Sequence, residues 1–448
     1  MNRPSPSAEP FWLRYFPDFL RKRLAGRAQL HKAIHNSGWI FFDKILRAVL
    51  GLLVGAWVAR YLGPGQFGEL AYYIAFIALF QGITNLGLDG IAVREISHHE
   101  LRAHVTLGTI YKLRVYAGIG CWLLAVISYG IIEGVNGSGI YIVGLVGATL
   151  VFQAADTVDL WFQCQSQSKR TVIAKALAYL LTSSIKVGLI LIHAPMMAFV
   201  IVIAAESLLN ALALYIAYKR YPSNDIWAPN KELAKKLLQE SWPYILSSVA
   251  VMIYMRIDQI MIRNMLDDRS LGIFSAMLPI ASAWNMIPVT IVTSIAPYMA
   301  KKHLEGGPAF NAALLLMFRS LWVVSLGAIV FTTLISSFLI PAIFGIRYLD
   351  SIHILNIYVW TCLPIALGVG QGIWLLNERK PKLSIIQTVC GALASVLTNL
   401  VFIPAFGLVG AAYAAILSQV ISTTLINLLI SRKLFFLQMG IKPPRWAT

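Results

Sequence analysis

The sequence predicts an all-α polytopic membrane protein with about twelve transmembrane helices in two pseudo-symmetric six-helix lobes. The chain has 448 residues, of which 58% are hydrophobic and only 13% are charged, a balance too apolar for a soluble globular protein. The hydrophobic residues fall into stretches close to the roughly 20 residues that span a bilayer as a helix. Arg and Lys crowd alternate connections between these stretches, which is typical of a chain with a fixed orientation in the membrane.

Twelve stretches follow one another along the chain, separated by glycine, proline or charged residues. The predicted transmembrane helices are, in order, 38–61, 70–90, 106–129, 139–161, 172–193, 196–218, 242–262, 271–295, 311–335, 352–376, 383–403 and 408–430. No connection between them is long enough to hold a catalytic domain, so the sequence does not predict an enzyme.

The distribution of cations predicts the orientation. If the N-terminal arm is cytoplasmic, the connections on the opposite side carry only Arg60, Arg263, Arg269 and Arg347. Both termini are then expected in the cytoplasm. Because the other basic residues are spread over separate connections, the net charge of +17 indicates membrane topology and no nucleic-acid partner.

The predicted domain organisation is symmetric about the middle of the chain. It consists of a basic cytoplasmic arm at 1–36, an N-lobe of helices 1–6 at 37–218, a cytoplasmic inter-lobe linker at 219–241, a C-lobe of helices 7–12 at 242–430 and a cytoplasmic tail at 431–448. Equal halves joined by one long connection suggest an internal duplication.

A weak sequence repeat supports the duplication. Leu62 and Gly68 bracket the turn after the first helix, and Leu266 and Gly272 bracket the turn after the seventh with the same spacing. Both turns follow a helix that passes outward, so the two lobes are expected to be parallel repeats related by an axis along the membrane normal.

Seven cations lie within or at the edge of the hydrophobic stretches. They are Lys44, Arg47, Lys112, Arg114, Lys186, Arg256 and Arg319. A cation at the centre of a transmembrane helix costs about 2.5–3.5 kcal/mol on insertion scales, so each is expected to face a water-filled cavity or a partner.

Five of these cations are candidate substrate-binding residues for an anionic headgroup. They are Arg47, Lys186, Arg319, Arg256 and Lys44. A guanidinium offers bidentate hydrogen bonds to a diphosphate and an ammonium offers a point charge. Alternatives remain open for two of them: Arg47 is spaced to form a structural ion pair with Asp43 on one helix face, and Lys44 could extend to the cytoplasmic surface.

Two embedded acids, Glu206 and Asp258, are candidate ion-coupling residues. A protonatable carboxylate within a membrane helix could couple transport to an ion gradient. For Glu206 a static ion pair with Lys186 is an equal alternative. Asp258 and Arg256 are two residues apart and cannot share a helix face, so each needs its own partner. No metal-ligand spacing occurs, and neither a metal nor a cofactor is expected.

Several segments resemble the bacterial polysaccharide flippases of the multidrug/oligosaccharidyl-lipid/polysaccharide exporter superfamily. In the first lobe these are VARYLGPGQFG at 58–68, NLGLD at 85–89 and Arg94-Glu95; in the second they are SWP at 241–243, RIDQ at 256–259, LGIFSA at 271–276 and IPAFGLVGAA at 403–412. The segments follow the order that the family has, and the resemblance spans about residues 36–430, nearly the whole chain.

This resemblance implies an O-antigen type of flippase. Such a protein moves an undecaprenyl-diphosphate-linked oligosaccharide repeat from the cytoplasmic to the periplasmic leaflet of the bacterial inner membrane by alternating access. The implied partners are the lipid-linked oligosaccharide, membrane lipids, and the polysaccharide polymerase and chain-length machinery. Two alternatives are a drug or organic-cation antiporter of the same superfamily and a membrane polysaccharide polymerase or ligase. A flippase of the peptidoglycan precursor is a closer relative, but members of that branch usually carry two more helices than the twelve predicted for this sequence.

Overall fold

The computed structural model describes residues 28–98, 102–134, 137–220 and 227–444, without the side chains of 28–35, 37 and 381. Most of the predicted basic arm and the end of the predicted tail therefore lie outside the described residues. Within the described ranges the chain is helical and contains no β-strand, which confirms the predicted fold class.

The helices of the N-terminal half are α1 (Ala28–Thr84), α2 (Asp89–His98), α3 (Ala103–Glu133), α4 (Gly139–Gly147), α5 (Thr149–Phe152), α6 (Thr157–Cys164), α7 (Lys169–Leu191) and α8 (Met196–Lys219). A 3-10 turn at Gln153–Asp156 joins α5 to α6. The predicted fourth span at 139–161 therefore consists of four short helical pieces, namely α4, α5, this turn and α6.

The helices of the C-terminal half are α9 (Lys231–Met265), α10 (Asp268–Ala283), α11 (Met286–Leu304), α12 (Gly307–Phe344), α13 (Asp350–Tyr358), α14 (Cys362–Asn377), α15 (Pro381–Val420), α16 (Asn427–Ile430) and α17 (Arg432–Gln438). A π-helical turn at Ile421–Leu425 interrupts the last predicted span, and 3-10 turns at Ile346–Tyr348 and Val359–Thr361 flank α13.

Two of the long helices reverse direction at a glycine. Gly63 in α1 has φ 74° and ψ 170°, and Gly407 in α15 has φ 60° and ψ −139°, conformations that a residue without a Cβ adopts at little cost. A Cβ on Gly410 would overlap the Phe402 carbonyl, which requires the chain to have doubled back between them. These reversals fall in the two turns that the sequence predicts at 62–68 and 403–407.

Ten helices within the described residues are long and apolar enough to cross a membrane, and two of them contain these reversals. The protein is therefore a multi-pass membrane protein, while the count of twelve spans stays a prediction. Within the predicted linker, α9 begins at Lys231, where the Asn230 side chain accepts a hydrogen bond from the Leu233 amide at 2.9 Å. Membrane helices tolerate an internal proline, so α9 continues through Pro243 into the span.

The two lobes meet at the turns that repeat in the sequence. A Cβ on Gly68 would overlap the Asp268 carbonyl, and a Cβ on Gly272 would overlap the Pro64 carbonyl. Pro64 and Asp268 occupy equivalent places in the two repeats, as do Gly68 and Gly272, so each contact is the two-fold image of the other. This reciprocal contact agrees with the predicted pseudo-symmetric lobes and lies at the end of the protein predicted to face the periplasm.

A second contact closes the same end of the molecule. Arg263, at the end of α9, forms ion pairs with Glu133 of α3 and, at 3.3 Å, with Asp268. Its guanidinium carbon lies 4.4 Å from the centre of the Tyr72 ring in α1. Nearby, the buried Tyr348 hydroxyl donates to the Ala59 carbonyl at 2.7 Å, and burial raises the pKa of Tyr348, which keeps the hydroxyl a donor.

Candidate functional site

Arg47 lies midway along the first span and is held by its own helix. Its Nε donates to Asp43 Oδ1 at 3.0 Å, which is the i, i+4 pair that the sequence offers as an alternative. The guanidinium carbon also stacks 5.0 Å from the centre of the Tyr179 ring in α7. Its Nη2 atom is buried and has no hydrogen-bond partner in the part of the chain that the structure describes. One donor of Arg47 is thus still available for a ligand.

Lys186 and Glu206 form an ion pair across two neighbouring helices. Nζ of Lys186 in α7 donates to Glu206 Oε2 in α8 at 2.7 Å, and the two side chains are 19% and 20% exposed. The static pair that the sequence left open is therefore present. Lys186 also lines a cavity of about 150 Å³ together with Tyr179, Ser183 and Phe199.

A second, polar cavity of about 340 Å³ adjoins Arg47 within the N-lobe. Its polar lining residues are Asp43, Arg47, Gln81, Thr149, Gln153, Asp156, Lys175, Ser207 and Asn210. Lys175 pairs with Asp156 at 3.0 Å and with Asp159 at 3.1 Å. The Asn210 Oδ1 atom is buried without a hydrogen-bond partner. The cavity therefore combines paired charges with amide groups.

Sequence reasoning missed most of this cavity. Lys175 lies at the start of the predicted span 172–193 but is not among the seven embedded cations considered from the sequence, and the amides of Gln81 and Gln153 are not singled out there either. The available signal was an uncharged polar residue inside an apolar stretch, which occurs at Gln81 and at Gln153. That signal does not say which helices meet, so the cavity could not be assembled from the sequence.

Lys44 and Arg256 differ from the other embedded cations because neither has an ion pair, a hydrogen bond or a ring contact with another described residue. Lys44 is exposed on α1, the first helix of the N-lobe, and Arg256 is half-buried on α9, the first helix of the C-lobe. The adjacent Asp258 is buried at 6% exposure and faces Tyr254 and Tyr358. Its Oδ1 atom has no hydrogen-bond partner, so Arg256 and Asp258 do not satisfy each other.

Arg319 lies against the C-terminal segment. Its Nε donates to the Gly440 carbonyl at 2.9 Å, and the neighbouring Trp322 Nε1 donates to the Gln438 carbonyl at 2.8 Å. These bonds hold the last residue of α17 and the chain just after it against α12. The predicted substrate contact of Arg319 stays a prediction.

The remaining two embedded cations have structural neighbours. Arg114 is 3% exposed, pairs with Asp89 of α2 and donates to the Thr157 hydroxyl at 3.4 Å. Lys112 lies on the exposed side of α3, with Nζ 5.6 Å from the centre of the Tyr116 ring. No cluster of three His, Cys, Asp or Glu side chains that could hold a metal ion occurs in the part of the chain that the structure describes.

Residues 33–303 match the profile of the family described as Polysaccharide biosynthesis protein. The match covers more than half of the chain. The chain belongs to this family.

Two relatives of this polysaccharide biosynthesis family member align with more than half of its sequence. A "Putative O-antigen transporter" of Shigella flexneri is 23% identical over 418 residues, which cover 89% of this chain and 98% of that protein. An "Uncharacterized membrane protein" of Haemophilus influenzae is 23% identical over 295 residues, which cover 61% of this chain and 66% of that protein.

Solved structures show the same fold. A structure titled "Lipid II flippase MurJ, inward closed conformation" matches with a TM-score of 0.72 and 13% identity, covering 91% of this chain and 90% of that chain. An inward-facing multidrug resistance transporter of the MATE family matches with a TM-score of 0.67 and 14% identity, covering 88% of this chain and 96% of that chain. The resemblance to the exporter superfamily that the sequence predicts is thus confirmed in family and in fold.

Proposed function

We propose that this polysaccharide biosynthesis family member is a flippase. It moves an undecaprenyl-diphosphate-linked oligosaccharide repeat from the cytoplasmic to the periplasmic leaflet of the bacterial inner membrane, for the assembly of O-antigen, capsule or exopolysaccharide. The single observation that carries the proposal is that two embedded cations, Lys44 and Arg256, have no ion pair, hydrogen bond or ring contact with another described residue, whereas the other five each have one. The family match and the name of the Shigella flexneri relative support it.

The two cations suit a diphosphate because of what surrounds them. The charges of Arg47 and Lys186 are already compensated by Asp43 and Glu206, whereas Lys44 and Arg256 form no ion pair with another described residue. An uncompensated cation within a membrane span is costly, so a bound dianion would offset that cost. Lys44 and Arg256 stand on the first helices of the two lobes, which places one ligand to the headgroup on each lobe.

The proposed mechanism is alternating access, and contacts between the lobes at both ends support it. At the end predicted to face the periplasm, Gly68 packs on Asp268, and Arg263 binds Glu133. At the opposite end, Arg94 of α2 pairs with Glu240 of α9, and Glu95 pairs with Lys236 at 3.3 Å. The basic partners of these cytoplasmic pairs are exposed, so each pair contributes little, about 0–1 kcal/mol. The structure holds both sets of contacts at once, so breaking one set while keeping the other would open the lobes to one side at a time and move the headgroup across while the polyprenyl tail stays in lipid.

Keeping the tail in lipid avoids a large hydrophobic penalty. Each Å² of apolar surface transferred to water costs about 25 cal/mol, so a long polyprenyl chain could not pass through an aqueous cavity at a useful rate. The lobes then need to enclose only the diphosphate and the glycan.

Glu206 and Asp258 remain the candidates for ion coupling. Protonation of Glu206 would release Lys186, which is bound to it at 2.7 Å. Asp258 offers a buried carboxylate oxygen without a partner, which a proton or a cation could occupy. Either event would change the charge of one lobe interior and so link an ion gradient to the movement of the lobes.

The cellular setting belongs to the same proposal. We place the protein in the inner membrane with both termini in the cytoplasm, and with the polysaccharide polymerase and chain-length machinery as its partners. The cation asymmetry of the connections supports the orientation.

The test uses a deletion strain of the native host complemented with wild type, Lys44→Gln, Arg256→Gln or Lys112→Gln. Lys112→Gln is the matched control because Lys112 is an embedded, exposed cation that lies over a ring of its own helix. The leaflet that holds the lipid-linked single repeat units is measured at equal membrane levels of protein.

The proposal predicts that the deletion strain retains single repeat units in the inner leaflet. Wild type and Lys112→Gln restore surface polysaccharide, and the other two variants restore it poorly. Accumulation of repeat units in the periplasmic leaflet would instead indicate a polymerase or ligase. Unaltered polysaccharide with raised sensitivity to cationic drugs would indicate an antiporter.

A further inference from the structure

We infer that the 340 Å³ cavity of the N-lobe is a carbohydrate subsite that holds one pyranose unit of the transported glycan. This inference rests on the proposed function, since it assigns part of the same substrate to a separate place. The cavity lies between α1, the α5–α6 region, α7 and α8.

The charges of this cavity are unsuited to a diphosphate. Of the side chains that line it, Arg47 and Lys175 are cations, and Asp43 and Asp156 are anions. Each cation lies 3.0 Å from one of these carboxylates. A phosphate that approached either cation would also approach a carboxylate at nearly the same distance. Because repulsion and attraction then nearly cancel, the cavity favours a neutral ligand over a dianion.

The hydrogen-bonding groups of the cavity call for a ligand that both donates and accepts. Among the described residues, Arg47 Nη2 has no acceptor and Asn210 Oδ1 has no donor, and both atoms are buried. Leaving such groups unsatisfied costs about 1–3 kcal/mol each. A hydroxyl group satisfies both kinds of partner, and a sugar carries several hydroxyl groups on one rigid ring.

The other lining residues fit the same ligand. Gln81, Gln153 and Ser207 add amide and hydroxyl groups, and Phe152 adds an aromatic face. A largely preformed pocket with an apolar wall and a few convergent polar groups is typical of a small-molecule site. Its volume is at the lower end of the about 300–1,000 Å³ usual for such pockets, which suits a single ring rather than a whole oligosaccharide.

The experiment measures lipid binding to the purified full-length protein in nanodiscs. The probes are undecaprenyl diphosphate and a panel of undecaprenyl diphosphates that each carry one hexose, one N-acetylhexosamine or one 6-deoxyhexose. The readout is the ratio of the dissociation constant of the bare lipid to that of each glycosylated lipid. Because the bare lipid lacks only the sugar, this ratio isolates the contribution of the sugar.

The variants are Asn210→Leu, which removes the amide from the cavity, and Asn399→Leu as a matched control. Asn399 also has a buried Oδ1 without a partner, but it lies on α15 in the C-lobe. Gln81→Leu is a second cavity variant, for use if Asn210→Leu fails to fold. The thermal unfolding of each variant is recorded beside its binding.

In wild type, at least one glycosylated lipid should bind about 5-fold to 10-fold more tightly than the bare lipid, the gain from one or two well-made hydrogen bonds. Asn210→Leu should bring this ratio close to one, and Asn399→Leu should preserve it. Two results would overturn the subsite and leave the flippase proposal standing. The first is a wild-type ratio of one for the whole panel. The second is that Asn210→Leu lowers the affinity for the bare lipid and for the glycosylated lipids by the same factor. If wild type binds neither the bare nor any glycosylated lipid, the proposed function itself fails.

Discussion

The reciprocal glycine contact between the lobes predicts that one added methyl group shifts the protein between its two states. In Gly68→Ala, the new Cβ would overlap the Asp268 carbonyl of the other lobe. Backbone atoms cannot move aside as a flexible side chain can, so the lobes must separate at this end. Overpacking of this kind costs about 1–3 kcal/mol. A cost of about 2 kcal/mol that falls only on the state closed at this end would change the ratio of the two states roughly 30-fold.

The assay is the reaction of an introduced cysteine with a membrane-impermeant maleimide in right-side-out vesicles. Ser275→Cys supplies the reporter, because Ser275 is buried and lies one turn after Gly272 on the same face of α10. The natural cysteines Cys121, Cys164, Cys362 and Cys390 are free thiols and are replaced by alanine in every variant. Labelling should be faster in Gly68→Ala than in the parent.

Gly65→Ala is the matched control for this prediction. Gly65 lies in the same turn, and a Cβ there would have no atom within 4 Å. Its labelling rate should equal that of the parent. The reasoning is refuted if Gly68→Ala is well folded and labels no faster than Gly65→Ala.

Three further predictions concern ion pairs and the C-terminal segment. Lys186→Gln leaves the half-buried Glu206 without its partner and should lower the free energy of unfolding by about 1–3 kcal/mol. The double variant with Glu206→Gln should regain part of that free energy, as measured by thermal unfolding of the purified protein. Arg263→Gln removes the ion pair with Glu133 and should increase the labelling rate of Ser275→Cys severalfold. High salt should increase the labelling rate of the parent in the same way, because the ion pair is partly exposed and therefore screened. Arg319→Ala should release the segment after α17, so that trypsin cleaves it faster than in the parent; an unchanged cleavage pattern would show that other contacts hold it.

Local features of the fold were predictable because short-range physics determines them. The turns at 62–68 and 403–407 contain glycines at the places where the backbone adopts positive φ, and the apolar stretches between charged connections became helices. The pair of Asp43 and Arg47 follows from their i, i+4 spacing on one helix, since side chains at that spacing are neighbours whatever the rest of the fold does.

Contacts between distant segments were not predictable in the same way. Lys175 meets Asp156 from another helix, and Arg319 binds the carbonyl of Gly440, which is 121 residues away. Helical periodicity says which face of a helix is polar, but not which other helix meets that face. The start of α9 at Lys231 was also missed, because the change from amphipathic to apolar residues near Pro243 marks the entry into the membrane and not the beginning of the helix.

The most direct test of the central claim is leaflet exchange in proteoliposomes that contain only this protein and a fluorescent undecaprenyl-diphosphate-N-acetylhexosamine. An impermeant reductant quenches the label in the outer leaflet, and the later loss of protected fluorescence reports the rate of exchange. The account predicts faster exchange with wild type and Lys112→Gln than in protein-free liposomes. When Lys44→Gln and Arg256→Gln are combined, the exchange rate should be at least about tenfold lower than with wild type. The loss of two charge-assisted hydrogen bonds of about 1.5–3 kcal/mol each is more than enough for that decrease. Equal rates with wild type and with no protein, or full activity in the combined variant, would contradict it.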